Sequence, residues 1–302
     1  MNYTLNEWVV EWIKTYKAIM LKPSTYDTYL QHAKSVSCSK PLRALESSDI
    51  QLIINEMVVK GRSIATIKHV LTLIRQSLYK ARRLGYIADL RCLDDLELPR
   101  GAGARPVLAM SLLDINRLQA NCNDTLYGDL YLFLLYTGMR VGEAIALQWP
   151  DIDFFSKKIY IRHTDYKGKL QTVKTSSGLR CLPMGDNIEK ILLKQLKRKA
   201  AACSRVFTNS YGSQINYRSL LKSWHRYLDK IHVPPAGLHV LRHSFAHYAL
   251  RNGIAVKVVS AWLGHADVTI TIGVYDNVTV EALEQAAELS QDMFYSKKQK
   301  AQ

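Results

Sequence analysis

Cysteine is scarce in this chain: five occur in 302 residues, Cys38, Cys92, Cys122, Cys181 and Cys203, and no two are spaced C-x-x-C. An odd, scattered set excludes a disulfide framework and a thiolate zinc site, and fits a reducing compartment. Long apolar runs are also missing. None approaches the ~18 residues of a membrane span, and the opening MNYTLNEWVV has no basic leader followed by an apolar core. A cytoplasmic protein without membrane contact is therefore expected. No G-x-x-x-x-G-K-[ST] phosphate loop is found, so nothing points to a bound nucleotide. With only eight prolines against 48% apolar residues, disorder is excluded as well.

Acidic residues are the remaining shortage, and the most informative one. Twenty-six Asp and Glu face 41 Lys and Arg, a formal charge of +15. Through Arg105 the balance is 16 basic to 10 acidic; beyond it, 25 to 16, so both parts are basic. A surplus of this size repels itself unless a polyanion neutralises it, and nucleic acid is the favoured partner over a merely soluble basic protein.

The length allows two domains, each with its own core. Residues 1–98 read as a small helical domain. Thr4 and Glu7 have capping-box spacing ahead of Leu5, Trp8, Val9, Trp12 and Ile13. Ser24 after Pro23 is placed to cap a second helix, and Ser48 with Gln51 to box a third that Gly61 closes. Ser63 opens a fourth helix with Ile64, Ile67, Leu71, Ile74 and Leu78 on one stripe and Gly85 past its end. On that helix Lys68, Arg75 and Arg82 recur every seven residues, a row that suits DNA phosphates or a solvated face equally. PRGAGARP, residues 99–106, reads as a linker. From 107 to 302 helical patterns dominate. They are interrupted in KKIYIRHTDYKGKLQTVKTSSGLRCLPM by short alternating runs that predict two or three antiparallel strands. The fold class is mainly α with a small antiparallel sheet.

Chemistry-bearing residues cluster in this second part. HVLRHSFAH places His239, His243 and His247 at i, i+4 and i+8. Val240 stands where an H-E-x-x-H zinc site needs its glutamate, and Arg242 on nearly the same face opposes a dication, so no metal is expected. His247 reads as a satisfied core histidine. His239 and Arg242, three apart at the start of a helix, suit an oxyanion. In YTGMRVGEAIALQW an apolar helix stops at Thr137-Gly138, and Arg140 opens the next with Glu143 one turn along. Glu143 either neutralises that guanidinium or aims it at a substrate anion. Lys174 lies by a strand turn, where an ordinary solvated lysine is the competing reading; Tyr275, ten residues after His265, reads by itself as core.

Taken in order, TGMRVGE, VKTSSGLR, HVLRHSFAH, LGHADVTIT and VYDNV resemble the tyrosine recombinase (phage integrase) family over Thr137 to Val278. The helical first domain and linker resemble the family's core-binding domain more weakly. The resemblance implies that Tyr275 attacks a scissile DNA phosphodiester, giving a 3′-phosphotyrosyl bond and a free 5′-hydroxyl. It implies that Arg140 and Arg242 hold the nonbridging oxygens, that His239 and His265 donate hydrogen bonds and assist proton transfer, and that Lys174 protonates the leaving oxygen. Such chemistry needs positioning and charge stabilisation, and neither metal nor nucleotide cofactor.

The implied protein is a site-specific recombinase of a mobile genetic element, forming a basic clamp on duplex DNA. A type IB topoisomerase and a catalytically silent DNA-binding protein of the same fold are the alternatives. The chain begins close to the expected core-binding domain, which leaves no room for a separate arm-binding domain and favours a simpler, Xer-like or transposon-like enzyme. Leu283, Ala286, Ala287, Leu289 and Met293 predict a tail helix within 279–302. In the family such a helix often packs on a neighbouring protomer, which implies self-association on DNA; packing on its own domain is the competing arrangement.

Overall fold

The computed structural model describes residues 3–99, 109–172, 179–198 and 203–264. The chain divides into two compact units, Met1–Arg105 and Pro106–Gln302, each built round its own apolar cluster.

The first unit contains α1 (Leu5–Tyr16), α2 (Pro23–Ala33), α3 (Ser47–Val59) and α4 (Ile64–Arg83). The expected box closes α1: Glu7 accepts from the Thr4 N–H at 3.0 Å and from its hydroxyl at 2.7 Å. Leu5, Trp8, Val9, Trp12 and Ile13 are then buried on one face. Trp8 also satisfies its indole N–H, which donates to the Ser77 carbonyl at 2.8 Å. Ser63 caps α4 by accepting from the Thr66 N–H at 3.2 Å, and Ile67, Leu71, Ile74 and Leu78 are buried along it.

Two caps differ from expectation. Pro23 is itself the first residue of α2, so Ser24 lies inside the helix and cannot cap it; its Oγ is buried without a partner among the described residues. The third helix is boxed two residues early, by Glu46 and Asp49. Carboxylates suit the positive helix end better than Ser48 and Gln51 do, and Lys40 bridges both at 3.4 and 2.9 Å. Gln51 is occupied elsewhere, exchanging two hydrogen bonds with the Glu97 backbone.

The second unit is organised round α6 (Gly128–Thr137), in which every residue is buried. Even Asp129 fits, because Lys194 and Gln195 of α8 (Asp186–Lys197) donate to it at 2.8 and 2.7 Å. Packed with these are α5 (Leu112–Ala120), α7 (Val141–Ala146), α9 (Tyr217–Lys230), α10 (His239–Arg251) and α11 (Val256–Leu263).

The strand region is richer than expected. Lys158–Ile161 (β2), His163–Tyr166 (β3), Lys169–Thr172 (β4) and Arg180–Pro183 (β5) all come from it, and Ile152–Asp153 (β1) precedes them. They form two antiparallel sheets, ordered β1-β2-β5 and β3-β4. The break between the sheets falls at Arg162, whose guanidinium is drawn to Asp151 at 3.1 Å and over the Tyr160 ring. Lys167 and Gly168, both with positive φ (50° and 87°), make the tight β3–β4 turn. Residues 173–178 of this region, like most of the linker and the predicted tail helix, lie outside the described residues.

Candidate active site

The ends of two helices build the site. Helix α6 stops because Gly138 adopts a left-handed φ of +63°. Glycine is needed there for space too, since a Cβ would sit 2.7 Å from both Leu263 and Phe245. Helix α11 ends the same way at Gly264, φ +66°. Trp262 ties the two ends together by donating its indole N–H to the Thr137 carbonyl at 2.9 Å.

Arg140 is the N-cap of α7, and Glu143 its third residue, as the sequence predicts. Glu143 is buried. It accepts the Arg140 backbone N–H at 3.0 Å and the guanidinium at 2.9 Å. A second arginine, absent from the sequence-level site, reaches the same carboxylate: Arg180 of β5 donates to both Glu143 oxygens, at 2.8 and 3.2 Å. Burial pushes the Glu143 carboxyl up, but the Arg180 hydrogen bonds and charge, followed by those of Arg140, overcome this and hold it below the usual carboxylate range. Glu143 is thus an anion in the folded protein.

Arg242 projects from the first turn of α10 and is buried; it donates to the Gly138 carbonyl at 2.8 Å and the Leu263 carbonyl at 2.7 Å. Burial first, and then the neighbouring Arg140, lower its pKa to about 9. It remains a cation at neutral pH. His239, on the same helix, keeps an exposed edge, yet the protein mass round it and the charges of Arg242 and Arg140 depress its pKa, with only Glu143 opposing them. The imidazole is therefore neutral near pH 7, able to donate from one nitrogen and accept at the other.

Of the residues singled out in the sequence, Arg140, Glu143, His239 and Arg242 are brought together. Lys174, His265 and Tyr275 lie outside the described residues. Lys68, Arg75 and Arg82 belong to the first unit, each exposed on α4. The expectation for His247 fails: it is exposed, because α10 turns its other face, with Leu241, Phe245 and Tyr248, toward the core. His239 and His243 meet edge to face, ring centres 5.9 Å apart. Among the described residues no three His, Cys, Asp or Glu side chains are grouped to hold a metal ion.

The missed Arg180 closes the quoted VKTSSGLR motif and heads the strand RCLP. In a chain with 41 basic residues one more arginine carries no distinguishing signal. Only its partner could have marked it, since a buried Glu143 flanked by two guanidiniums is a tertiary fact. Three guanidiniums against one carboxylate leave a net positive charge suited to a phosphodiester, whose charge grows in the transition state.

The model of the phage integrase family matches residues 110–282. The chain belongs to the phage integrase family. Among this member's relatives, a XerC-like tyrosine recombinase of Caldanaerobacter subterraneus subsp. tengcongensis is 26% identical, over 97% of this chain and 84% of the relative. A tyrosine recombinase XerD of Mycobacterium tuberculosis is 32% identical over 53% of this chain and 51% of its own length. Among solved structures, the Tn1549 transposon integrase in complex with a circular intermediate DNA superposes with a TM-score of 0.78 at 18% identity, covering 95% and 99% of the two chains. A lambda integrase tetramer bound to a Holliday junction gives 0.71 at 17% identity, covering 92% and 80%. At these identities the structures establish the fold: this integrase-family chain is mainly helical with small antiparallel sheets, in the manner of the tyrosine recombinases.

Proposed function

We propose that the protein is a site-specific DNA recombinase that cuts and rejoins strands through a covalent 3′-phosphotyrosyl intermediate. The observation that carries this is the convergence of Arg140 and Arg242 on the end of α11, where they donate to the Gly264 and Leu263 carbonyls within the L-G-H motif and Glu143 holds Arg140, in a member of the phage integrase family. Each guanidinium has five N–H donors, and the bonds described above engage two apiece. Their remaining donors suit the nonbridging oxygens of one phosphodiester.

In this reading the Tyr275 oxygen forms a bond to phosphorus and the bond to the 5′-oxygen breaks. The phenol proton passes to a neutral base, a role His239 or His265 suits, and Lys174 supplies a proton to the departing 5′-oxygen. The phosphotyrosyl linkage conserves the phosphodiester bond energy, so rejoining reverses the same step. Residues 1–98 serve as the core-binding domain, with Lys68, Arg75 and Arg82 on phosphates, and residues 107–302 as the catalytic domain. The tail within 279–302 exchanges between protomers on DNA. The DNA lies in the cytoplasm.

The deciding experiment incubates the protein with randomised duplexes carrying a nick, so that a cut strand is lost and the intermediate is trapped. A denaturant-resistant adduct, absent with Tyr275→Phe, is expected. No adduct from the unaltered protein, or an adduct that survives Tyr275→Phe, overturns the assignment. Two plasmids carrying the recovered site should then give joint products; relaxed circles alone contradict the recombinase reading. A chain ending at Val278 should lose its DNA-dependent assembly, and unchanged mass on DNA refutes tail exchange.

A further inference from the structure

Three consecutive carbonyls at the end of α11 are each taken by an arginine from a different element. Arg180 of β5 donates its Nε to Trp262 at 2.7 Å, Arg242 of α10 its Nη2 to Leu263 at 2.7 Å, and Arg140 at the head of α7 its Nη2 to Gly264 at 3.1 Å. These carbonyls lie at the negative end of the helix, which attracts cations. Arg140 and Arg242 match family catalytic positions. Arg180 does not, and its Nε, Nη1 and Nη2 all donate within the protein, to the Trp262 carbonyl and the two Glu143 oxygens.

Its hydrogen bonds nevertheless make it the connecting member. It spans both Glu143 oxygens and the Trp262 carbonyl at once, which a planar fork with a third donor can do and an ammonium cannot. Through Glu143 it acts on Arg140, which depends on that carboxylate for its own orientation. It also supplies the charge that offsets Glu143, leaving the positive charge of Arg140 uncancelled. Without Arg180, Glu143 has Arg140 as its remaining direct ion-pair partner among the described contacts.

We propose that Arg180 is a positioning residue of the strand-cleavage site: by clamping Glu143 to the end of α11 it fixes the direction of Arg140 and keeps that guanidinium's charge for the scissile phosphate. This rests on the strand-transfer reading above.

The test measures single-turnover adduct formation on a nicked duplex bearing the site recovered from the randomised pool, across about pH 5 to 8, with DNA affinity followed in parallel. Arg180→Lys keeps the charge and is the variant most certain to fold; Arg180→Met removes it. Both should bind DNA as the unaltered protein does and cleave at least about tenfold more slowly.

The charged groups facing Glu143 are Arg140 on α7, Arg180 on β5, and Arg242 and His239 on α10. Losing Arg180 lets burial raise the carboxyl, so the acid limb of the Arg180→Met rate profile should move to higher pH. Arg180→Met combined with Glu143→Gln should abolish that displacement. An Arg180→Lys protein with unaltered rate and profile overturns the proposal. So does a loss of rate equal at every pH and accompanied by equal loss of DNA affinity, the signature of a merely structural role. An unaltered protein that forms no adduct on any duplex defeats the recombinase reading instead, so the two failures are distinguishable.

Discussion

At the scale of single residues the site is governed by how few acceptors serve many cations. Glu143 is the one buried carboxylate described between Arg140 and Arg180. Truncating it to alanine strands buried Arg180 without its counter-ion, and breaking a buried pair in this way costs about 3–5 kcal/mol. Urea unfolding of Glu143→Ala should show a loss of that order in the transition of the second unit. The pH dependence follows with a definite sign. Because the Glu143 pKa is lowered in the folded state, its stabilisation is complete above the unfolded value, near 4.3, and is lost as pH falls through the depressed folded value. Acidification below the ordinary carboxylate range should therefore destabilise the unaltered protein, and Glu143→Gln should flatten that limb.

His239 works in the same direction through a different equilibrium. Its folded pKa is lowered, so the unfolded chain takes up a proton first. Stability should fall as pH drops below about 6.5 and level off under the folded value. NMR titration of the imidazole checks this directly. A DNA phosphate in the site should raise the same pKa, because an anion favours the imidazolium.

At the scale of elements, helix ends matter more than helix faces. Gly138 and Gly264 terminate α6 and α11 in left-handed conformations, and the carbonyls released there are the ones the arginines take. Gly138→Ala meets both an unfavourable φ and a 2.7 Å approach to Leu263 and Phe245. It should lower stability by at least about 1–2 kcal/mol, read as a drop in Tm, and slow strand cleavage by displacing the carbonyl that holds Arg242. Gly138 was legible in the sequence as a helix stop, and so was the Arg140–Glu143 pair, because three-residue spacing on a helix fixes proximity.

What the sequence could not disclose came from elements far apart in the chain. Arg180 and Glu143 are 37 residues apart, and Arg180 and Trp262 are 82 apart, distances no periodicity reports. The second sheet was hidden for a related reason: β3 and β4 are half-buried or exposed, with no apolar alternation to separate them from β2 and β5. Caps failed where several candidates competed locally, as when Glu46 and Asp49 displaced Ser48 and Gln51. His247 was misplaced because the buried face of α10 is the one that carries Leu241, Phe245 and Tyr248, and the spacing of the histidines does not say which face that is.

At the scale of the whole molecule, charge decides behaviour. A surplus of +15 shared by both units makes binding to duplex DNA depend on displaced counterions, with log K falling by about 0.9 per log unit of salt for each phosphate contacted. Replacing Lys68, Arg75 and Arg82 by alanine should lower the slope by about 2.7 if each contacts one phosphate. Affinity measured across a salt series gives that number, and an unchanged slope removes α4 from the interface.

The central claim is that Arg140 and Arg242 neutralise one scissile phosphate. It is tested most directly by comparing cleavage of an ordinary site with one whose scissile linkage is an uncharged methylphosphonate. For Arg140→Ala and Arg242→Ala the account expects severe loss on the phosphate, about 2.7–4 kcal/mol of barrier for each donor group removed, and recovery of most of that loss on the neutral linkage. Equal loss on both substrates would contradict it.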